Sequence, residues 1–202
     1  MSRYCSQCGK ARKACICSLI VPLSSSVELI ILQHPTEEHR PMGTARILDL
    51  SLANCRRFVA EDFSRHTQLN ECLAEPDVLN YVLYPHETAQ PVSAMNINAD
   101  TRKVRVILLD GTWKKAYKMW QLSSNLHSLP CLHLPTDLKG NYRIRKAPSE
   151  NSLSTVEAGF HILSLLEPRQ NFQPLLDAFD AMVAFQISQM PAGLFKQNYI
   201  SE

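Results

Sequence analysis

Short apolar runs alternate with helical patterns along most of this chain. Four runs are predicted to form strands, at 27–32, 78–84, 104–109 and 131–134, and apolar periodicity predicts helices near 44–53, 112–122, 154–166 and 172–190. The run VRVILL at 104–109 alternates too little for a sheet with one wet face, which is typical of a central parallel strand. Strands that alternate with helices predict an α/β fold, with helices on both faces of a mostly parallel sheet.

This fold class indicates where functional residues should lie. In open parallel sheets, ligands bind outside the carboxyl ends of the strands. The loops that start at Gln33, Asp110 and Pro135 follow predicted strands. We therefore expect the functional residues in those three loops.

Composition places the chain among ordinary globular proteins. It has 202 residues, of which 45% are hydrophobic and 20% are charged, and these values exclude extended disorder. The polar start and the lack of about 18 consecutive apolar residues predict neither a secretory segment nor a membrane span. We therefore expect a cytoplasmic protein that does not bind membranes, whose seven cysteines are thiols or metal ligands and not disulfides.

Charge is segregated along the chain, although the net charge is only +2. Residues 1–20 carry +4 and residues 102–146 carry +8, whereas 21–101 carry −6 and 147–202 carry −4. Two basic segments on a nearly neutral chain predict a local footprint for phosphate or nucleic acid. A solvated lysine-rich surface is the alternative interpretation.

Four cysteines near the start have the spacing of a metal site. Cys5, Cys8, Cys15 and Cys17 form the pattern C-x2-C-x6-C-x-C. Two close pairs of thiolates on short turns supply the four soft ligands that tetrahedral zinc requires. Four protein ligands leave zinc no open position, so we predict a structural zinc arm over 1–20, followed by a second domain over 21–202. The alternatives are an incidental thiol cluster or a redox pair at the first two cysteines.

The segment DGTWKKAYKMW, at 110–120, follows the predicted central strand. Gly111 permits a tight turn, and Thr112 is predicted to cap a helix on which Trp113, Ala116, Tyr117 and Trp120 share one face. That face is most simply a core face, except that Trp113 borders the edge of the sheet where ligands bind. Asp110 is a candidate helix cap, ligand-orienting group or proton acceptor.

Two further motifs lie in predicted loops. The run LQHPTEEHRPMGTARIL, at 32–48, makes two turns and is expected to cap its helix with Thr44, but a purely structural turn leaves Glu37, His39 and Arg40 unexplained. The run YRIRKAPSENSLSTVEA, at 142–158, carries a basic edge and then a capping-box pattern from Ser154. Amide groups at that helix start are candidates for binding a carboxylate or phosphate, although an ordinary loop with a basic edge fits equally.

Together these four motifs resemble the DTW-domain family, and in particular its bacterial tRNA-uridine aminocarboxypropyltransferases. The family's Asp-x-Thr-Trp element stands here at 110–113, and the resemblance covers most of the chain. It implies a fold related to the SPOUT methyltransferases, with a C-terminal trefoil knot around S-adenosylmethionine. It also implies transfer of the 3-amino-3-carboxypropyl group from S-adenosylmethionine to N3 of a uridine in the tRNA variable loop, releasing 5′-methylthioadenosine without a metal or redox cofactor in the reaction.

Physical reasoning about this reaction assigns roles to residues as hypotheses. The site must hold the amino-acid part of the donor in line with the uridine N3, with Asp110 as the base or the amine-orienting group. The candidate catalytic residues are Asp110, Thr112 and Trp113. The candidate residues for S-adenosylmethionine are Leu108, Leu109, Asp110, Thr112, Trp113, Leu134, Pro135, Ser152, Leu153, Ser154 and Thr155. The candidate tRNA contacts are His34, Arg40, Lys114, Lys118, Arg143, Arg145 and Lys146, which would hold phosphates without specifying sequence.

Competing interpretations remain at this point. RNA methylation of the SPOUT type would use the same pocket with a different orientation of the donor. A non-enzymatic zinc-dependent RNA-binding module accounts for the cysteines and the basic segments but gives Asp110 no role. A simple nucleotide-binding protein is a third interpretation. The sequence leaves open the oligomeric state, the choice of tRNA, any need for prior modification and whether the zinc arm contacts tRNA.

Overall fold

The computed structural model describes residues 2–95, 101–138, 140 and 153–191. The strands there are β1 (Glu28–Gln33), β2 (Cys55–Val59), β3 (Val78–Leu83), β4 (Gln90–Pro91), β5 (Lys103–Asp110) and β6 (Cys131–His133). The helices are α1 (Ala45–Ser51), α2 (Thr67–Leu73), α3 (Trp113–Leu122), α4 (Thr155–Leu166) and α5 (Gln173–Ser188), with five short 3-10 turns. All eight predicted elements are confirmed. Among the described helices, none combines the length and the hydrophobicity that a membrane span requires.

Six strands form one sheet, in the order β2-β1-β5-β3-β6-β4. Each neighbouring pair is parallel, which confirms the predicted parallel sheet. Strand β5 lies between β1 and β3, and both Val106 and Ile107 on it are fully buried. The weak alternation of this strand therefore reflects burial on both faces, as the sequence predicts.

Helices cover both faces of the sheet. On one face, alternate residues of β1 and β5 pack with α1, α4 and α5, and on the other face the intervening residues pack with α2 and α3. Helix α4 approaches α1 closely, since a Cβ atom on Gly159 would lie 2.7 Å from the terminal methyl groups of the buried Leu48. Glycine at this position lets the start of α4 sit beside the sheet edge.

Three elements were not predicted from the sequence: β2, α2 and β4. Strand β2 has the sequence CRRFV, and its two consecutive arginines interrupt the apolar pattern. Each arginine is accommodated because it pairs with a carboxylate from a different part of the fold. Helix α2 buries only Leu69 and Cys72, and β4 has only two residues. All three are short and lie at or outside the edges of the sheet, where hydrophobic patterning is weakest.

A charged cluster anchors β5 at the end of the sheet opposite the carboxyl edge. Arg105 is fully buried, and its Nη2 lies 2.8 Å from Glu28 Oε2 and 2.6 Å from Glu75 Oε2. Arg56, the exposed member, reaches Glu28 Oε1 at 2.8 Å. The hydrogen bond from Arg105 lowers the pKa of Glu75. A buried arginine is tolerated on this strand because carboxylates and the Cys72 carbonyl satisfy its donors.

The predicted helix caps are confirmed at two of three positions. Thr112 accepts a hydrogen bond from the Lys115 amide at the start of α3, and Ser154 forms a full capping box with Glu157 at the start of α4. The expectation for Thr44 is wrong, because its hydroxyl makes no capping bond to α1. Its backbone is already helical, and its Oγ1 instead accepts from the Val156 amide of α4 at 3.4 Å. Thr44 thus joins the 34–44 loop to α4.

Candidate functional site

A cavity of about 830 Å³ opens at the carboxyl edge of the sheet. This volume suits a ligand of ordinary cofactor size. Its wall is formed by the residues that follow β5 and β6, by the start of α4, by the end of β3 and by the loop before α1. Its lining residues are Glu37, Arg40, Met42, Gly43, Thr44, Leu83, Tyr84, Pro85, His86, Glu87, Leu108, Leu109, Asp110, Gly111, Thr112, Trp113, Ala116, Leu132, His133, Leu134, Pro135, Thr136, Leu138, Leu153, Ser154, Thr155 and Ala158.

The cavity brings together most of the residues that were predicted from the sequence to bind S-adenosylmethionine. The lining includes Leu108, Leu109, Asp110, Thr112, Trp113, Leu134, Pro135, Leu153, Ser154 and Thr155. The nominated Ser152 lies outside the described residues, as do the nominated tRNA contacts Arg143, Arg145 and Lys146. Three segments distant in sequence therefore meet at one cavity, as the rule for parallel sheets predicts.

Asp110 is a buried acidic group of this cavity, with 7% of its surface exposed. One carboxylate oxygen, Oδ2, accepts from the Gln33 side-chain amide at 2.7 Å, and the other, Oδ1, accepts from the Thr155 hydroxyl. The backbone carbonyl of Asp110 accepts from the His34 amide at 3.0 Å. The carboxylate is thus held from β1 and from α4 at the same time. A fixed carboxylate at a cavity wall can orient a cationic ligand group or receive a proton.

Two helices begin at the cavity. Thr112, the N-cap of α3, and Ser154, the N-cap of α4, both belong to its lining. The first turn of a helix carries amide groups that are not used within the helix, and its dipole places partial positive charge there. These helix starts can hold an anionic group of a ligand, and the neighbouring Asp110 carboxylate can hold a cationic group of the same ligand.

Aromatic rings form one wall of the cavity. Tyr84, at the end of β3, lines the cavity and stacks on Trp120 of α3, with ring centroids 4.8 Å apart and planes inclined by 15°. His86 also lines the cavity, and its ring centroid lies 5.8 Å from that of Trp120. Sequence reasoning missed this wall, although VLNYVLY was predicted as a strand and its carboxyl end was therefore a place to look.

The exposed face of α3 differs from the prediction. Ala116, Met119 and Trp120 are buried, but Trp113 is 50% exposed and Tyr117 is 59% exposed. The expectation that Tyr117 belongs to a core face is wrong, because the buried face is centred on Ala116 and Met119 and leaves Tyr117 beyond its margin. The exposed aromatic pair therefore lies one turn apart beside the cavity.

The nominated basic residues on α3 and the 34–44 loop occupy different environments. Lys114 is exposed, and Lys118 reaches Glu61 Oε2 at 2.9 Å. Arg40 lines the cavity and pairs with Glu37 at 3.2 Å. His34 is mostly buried, and its Nε2 contacts Glu61 Oε1 at 3.0 Å. Hydrogen bonds from Lys118 and His34 lower the pKa of Glu61.

The four nominated cysteines converge at the start of the chain. Their sulfur atoms all lie within 4.8 Å of one another, so this cluster could hold a metal ion. The Cys5 and Cys17 sulfurs are 3.7 Å apart, and those of Cys8 and Cys15 are 3.8 Å apart. Four sulfurs about 2.3 Å from one tetrahedral ion would be separated by about 3.8 Å, so the cluster fits such an ion. Backbone hydrogen bonds from Cys8 and Gln7 lower the pKa of Cys5 to about 6, whereas burial and the neighbouring thiols raise the pKa of Cys17 to about 12, so Cys5 ionises more readily than Cys17.

The cysteine arm is docked against the loop that lines the cavity. Lys10, between the two cysteine pairs, donates to the carbonyls of Pro41 at 2.6 Å and Gly43 at 3.0 Å. Burial lowers the pKa of Lys10 to about 8. Arg46 of α1 donates to the Cys8 carbonyl at 3.3 Å. Two side chains thus connect the arm to the 40–46 segment. The composition of the arm predicts its cysteine cluster but not this docking.

The chain is similar to several named proteins over most of its length. The chain is 30% identical over 190 residues to tRNA-uridine aminocarboxypropyltransferase 2 of Macaca fascicularis, with 91% of this chain and 63% of that protein covered. It is 31% identical over 179 residues to the Drosophila melanogaster protein of the same name, with 85% and 70% covered. It is 25% identical over 213 residues to tRNA-uridine aminocarboxypropyltransferase A of Arabidopsis thaliana, with 91% and 81% covered.

The chain spans only about 63% of the length of the macaque relative. No solved structure matches it. The DTW domain family matches residues 2–187, which is most of the chain and includes both the cysteine arm and the cavity. This protein therefore belongs to the DTW domain family.

Proposed function

We propose that this protein is a tRNA-uridine aminocarboxypropyltransferase. It transfers the 3-amino-3-carboxypropyl group of S-adenosylmethionine to N3 of a uridine in the tRNA variable loop and releases 5′-methylthioadenosine. The observation that carries the proposal is the similarity over 85–91% of the chain to proteins named for this activity. The cavity at the DGTW turn supports it, because it combines apolar walls, a fixed carboxylate and two helix starts.

The transfer is a substitution at carbon. The uridine N3 passes its proton to solvent water and attacks the side-chain carbon bonded to the sulfonium. The carbon–sulfur bond breaks, and sulfur keeps the electron pair as the thioether of 5′-methylthioadenosine. The sulfonium has three activated carbons, so the product depends on which one faces the nucleophile. The protein must therefore fix the amino-acid part of the donor and leave the methyl group out of line.

The cavity residues suit the parts of this donor. Leu108, Leu134 and Pro135 provide apolar surface for the adenosine, while the amides at Thr112 and Trp113 suit the donor carboxylate. Leu109 and Leu153 add to the apolar wall, and Ser154 and Thr155 close the cavity from α4, with Ser152 proposed beside them. Asp110 already accepts hydrogen bonds on both oxygens, which favours a role in orienting the donor ammonium over a role as the base.

The tRNA surface is proposed around the mouth of the cavity. Trp113 and Tyr117 offer exposed rings on which unpaired bases can stack, and exposed lysines flank them. The proposed phosphate contacts are His34, Arg40, Lys114, Lys118, Arg143, Arg145 and Lys146. Lys118 would exchange its exposed ion pair with Glu61 for a phosphate, at little cost because exposed pairs contribute little.

The remaining proposals concern the metal and the architecture. Cys5, Cys8, Cys15 and Cys17 are proposed to bind zinc, which would stabilise the arm and take no part in the transfer. The parallel sheet with its cavity at the carboxyl edge supports a relation to the SPOUT fold. The C-terminal trefoil knot, the boundary between residues 20 and 21 and a cytoplasmic location are further proposals.

Two labelled donors test the proposed reaction. The purified protein is incubated with unmodified tRNA and S-adenosylmethionine labelled either in the aminobutyrate chain or in the methyl carbon. We expect tRNA to take up only the first label, because the methyl group should leave with 5′-methylthioadenosine. Uptake of the methyl label alone would establish a methyltransferase. Binding of tRNA without either label would support the RNA-binding module.

A further inference from the structure

A chain of polar side chains runs from the cysteine arm to Asp110. It begins at the Cys8 carbonyl, passes through α1 and β2, and ends at the carboxyl edge of β1 and β5. Arg46 Nε donates to Cys8 O at 3.3 Å, and Arg46 Nη1 contacts Asp49 Oδ2 at 2.6 Å. Arg57 Nε contacts the same Asp49 oxygen at 3.2 Å, and Arg57 Nη1 donates to Gln33 Oε1 at 2.7 Å. Gln33 Nε2 then donates to Asp110 Oδ2 at 2.7 Å. We call this chain of contacts the Arg57–Gln33 relay.

The part of the relay nearest Asp110 is largely shielded from water. The exposed fraction is 12% for the Arg57 side chain and 4% for Gln33. The two 2.7 Å hydrogen bonds of Gln33 join it to charged partners, and charge-assisted bonds are stronger in a shielded site than at a wet surface. Each of these bonds therefore fixes the geometry of the next. The relay therefore differs from exposed pairs such as Lys118 with Glu61, which constrain little.

Gln33 has the chemistry that this position requires. Arginine carries only hydrogen-bond donors, and an ionised carboxylate carries only acceptors. A side chain between Arg57 and Asp110 must therefore accept on one side and donate on the other. The amide of Gln33 does both, with its oxygen toward Arg57 and its nitrogen toward Asp110. Because both partners are unambiguous, Arg57 determines which way the amide points.

The strand register makes this connection possible. Gln33 is the last residue of β1 and pairs in register with Asp110, the last residue of β5, and Arg57 pairs with Ile31 two residues earlier. On the other side of Asp110, the Thr155 hydroxyl of α4 donates to Oδ1. The Asp110 carboxylate is thus held between the relay and α4.

We propose that Gln33 and Arg57 are positioning residues that set the orientation of the Asp110 carboxylate, with the cysteine arm as the fixed end of the relay. This inference rests on the proposed transferase function, in which Asp110 faces the donor. It assigns a role to two residues outside the DGTW turn. Neither Gln33 nor Arg57 lines the main cavity, and Gln33 contacts Asp110 directly, so we expect their effect to pass through Asp110.

Two variants break the relay at different links. Gln33→Glu keeps an acceptor toward Arg57 but replaces the donor toward Asp110 with a second carboxylate, so the last link becomes a repulsion. Arg57→Met removes the cation that orients Gln33. Arg56→Met is the matched control, because Arg56 is the preceding residue of β2, also pairs with carboxylates, and faces the Glu28 cluster away from the cavity. Each variant is assayed for kcat, for KM with tRNA and for thermal unfolding.

We expect Gln33→Glu and Arg57→Met to lower kcat by about 10- to 100-fold, because a small misplacement of a reacting group has effects of this size. KM for tRNA should change by less than about threefold, since the relay does not reach the proposed tRNA surface. Arg56→Met should keep kcat within about twofold of the unmodified protein even if its unfolding temperature falls. Unchanged kcat in both relay variants would overturn the proposal.

A crystal structure of Gln33→Glu separates failure of this inference from failure of the proposed function. If the unmodified protein transfers nothing to tRNA, the proposed function is wrong, and kcat then carries no information about the relay. The structure of the variant then decides. An Asp110 carboxylate that has turned away from the Thr155 hydroxyl would support the relay, and an unmoved carboxylate would overturn it. The same structure decides if Arg57→Met does not fold.

Discussion

At the scale of single residues, the central feature is the constraint on Asp110. A carboxylate at a helix start often serves only as a cap, but here Thr112 caps α3 and leaves Asp110 to other partners. Gln33 and Thr155 donate to its two oxygens from different elements. The direction of the carboxylate is thereby fixed at the cavity wall, which is the preorganisation that the proposed transfer would require.

Replacing Asp110 with asparagine tests this constraint at nearly constant size. In Asp110→Asn, one side-chain atom becomes an amide nitrogen, and if it faces Gln33 two donors oppose each other. We expect kcat to fall by at least about 100-fold, since both charge and orientation are lost, while affinity for tRNA stays within about threefold. Assays of product formation and of tRNA binding measure the two quantities. Asp177→Asn, on the exposed side of α5, is the control. Normal product from Asp110→Asn would remove Asp110 from the mechanism.

At the scale of elements, α3 serves two purposes on two faces. Its inner face packs Met119 and Trp120 against the sheet, and Trp120 supports the stacked ring of Tyr84 in the cavity wall. Its outer face carries Trp113 and Tyr117 in solvent. Large exposed aromatic side chains beside a cavity indicate a binding surface. Unpaired RNA bases fit such rings, because every base offers a face for stacking.

Tyr117 tests the outer face of α3 without touching the cavity lining. We expect Tyr117→Ala to weaken tRNA binding by about 1 kcal/mol, roughly fivefold, and Tyr117→Phe to retain affinity, because stacking needs the ring and not the hydroxyl. Leu122→Ala removes another exposed apolar side chain of the same helix and should have little effect. Fluorescence anisotropy of labelled tRNA measures all three. Equal affinities for Tyr117→Ala and Leu122→Ala would contradict the stacking surface.

At the scale of the whole molecule, the cysteine arm is part of the main hydrophobic core. Cys8 and Ile16 are buried in the same apolar cluster as α1, α4 and α5. Lys10 and Arg46 add polar ties between the arm and the 40–46 segment. Loss of order in the arm should therefore spread to the core and to the cavity.

Metal removal tests this coupling. We expect a chelator to lower the unfolding temperature by about 5 to 10 °C, because a structural zinc site contributes several kcal/mol and each kcal/mol shifts the Tm of a domain this size by about 2 to 4 °C. Scanning calorimetry and metal analysis before and after chelation provide the measurements, and added zinc should restore the original Tm. A preparation that contains metal and melts at the same temperature after its removal would contradict a structural role.

Much of the architecture could be predicted from the sequence because it depends on periodic burial. Strand β5, the caps at Thr112 and Ser154 and the cysteine cluster each follow from local pattern or spacing, and the rule for parallel sheets locates the cavity. The Arg57–Gln33 relay was not predicted, because it depends on strand register and on side chains that are remote in sequence. Tyr117 was placed in the core for a similar reason, since periodicity gives the spacing on a helix but not the rotation of the helix against the sheet.

The central claim is the chemical identity of the product, and nucleoside mass spectrometry tests it most directly. Unmodified tRNA is incubated with the purified protein and S-adenosylmethionine labelled in the aminobutyrate chain, then digested to nucleosides. The account predicts labelled 3-(3-amino-3-carboxypropyl)uridine together with one equivalent of 5′-methylthioadenosine. A folded, metal-loaded protein that binds tRNA but yields only methylated nucleosides, or no labelled nucleoside from any tRNA pool, would contradict it.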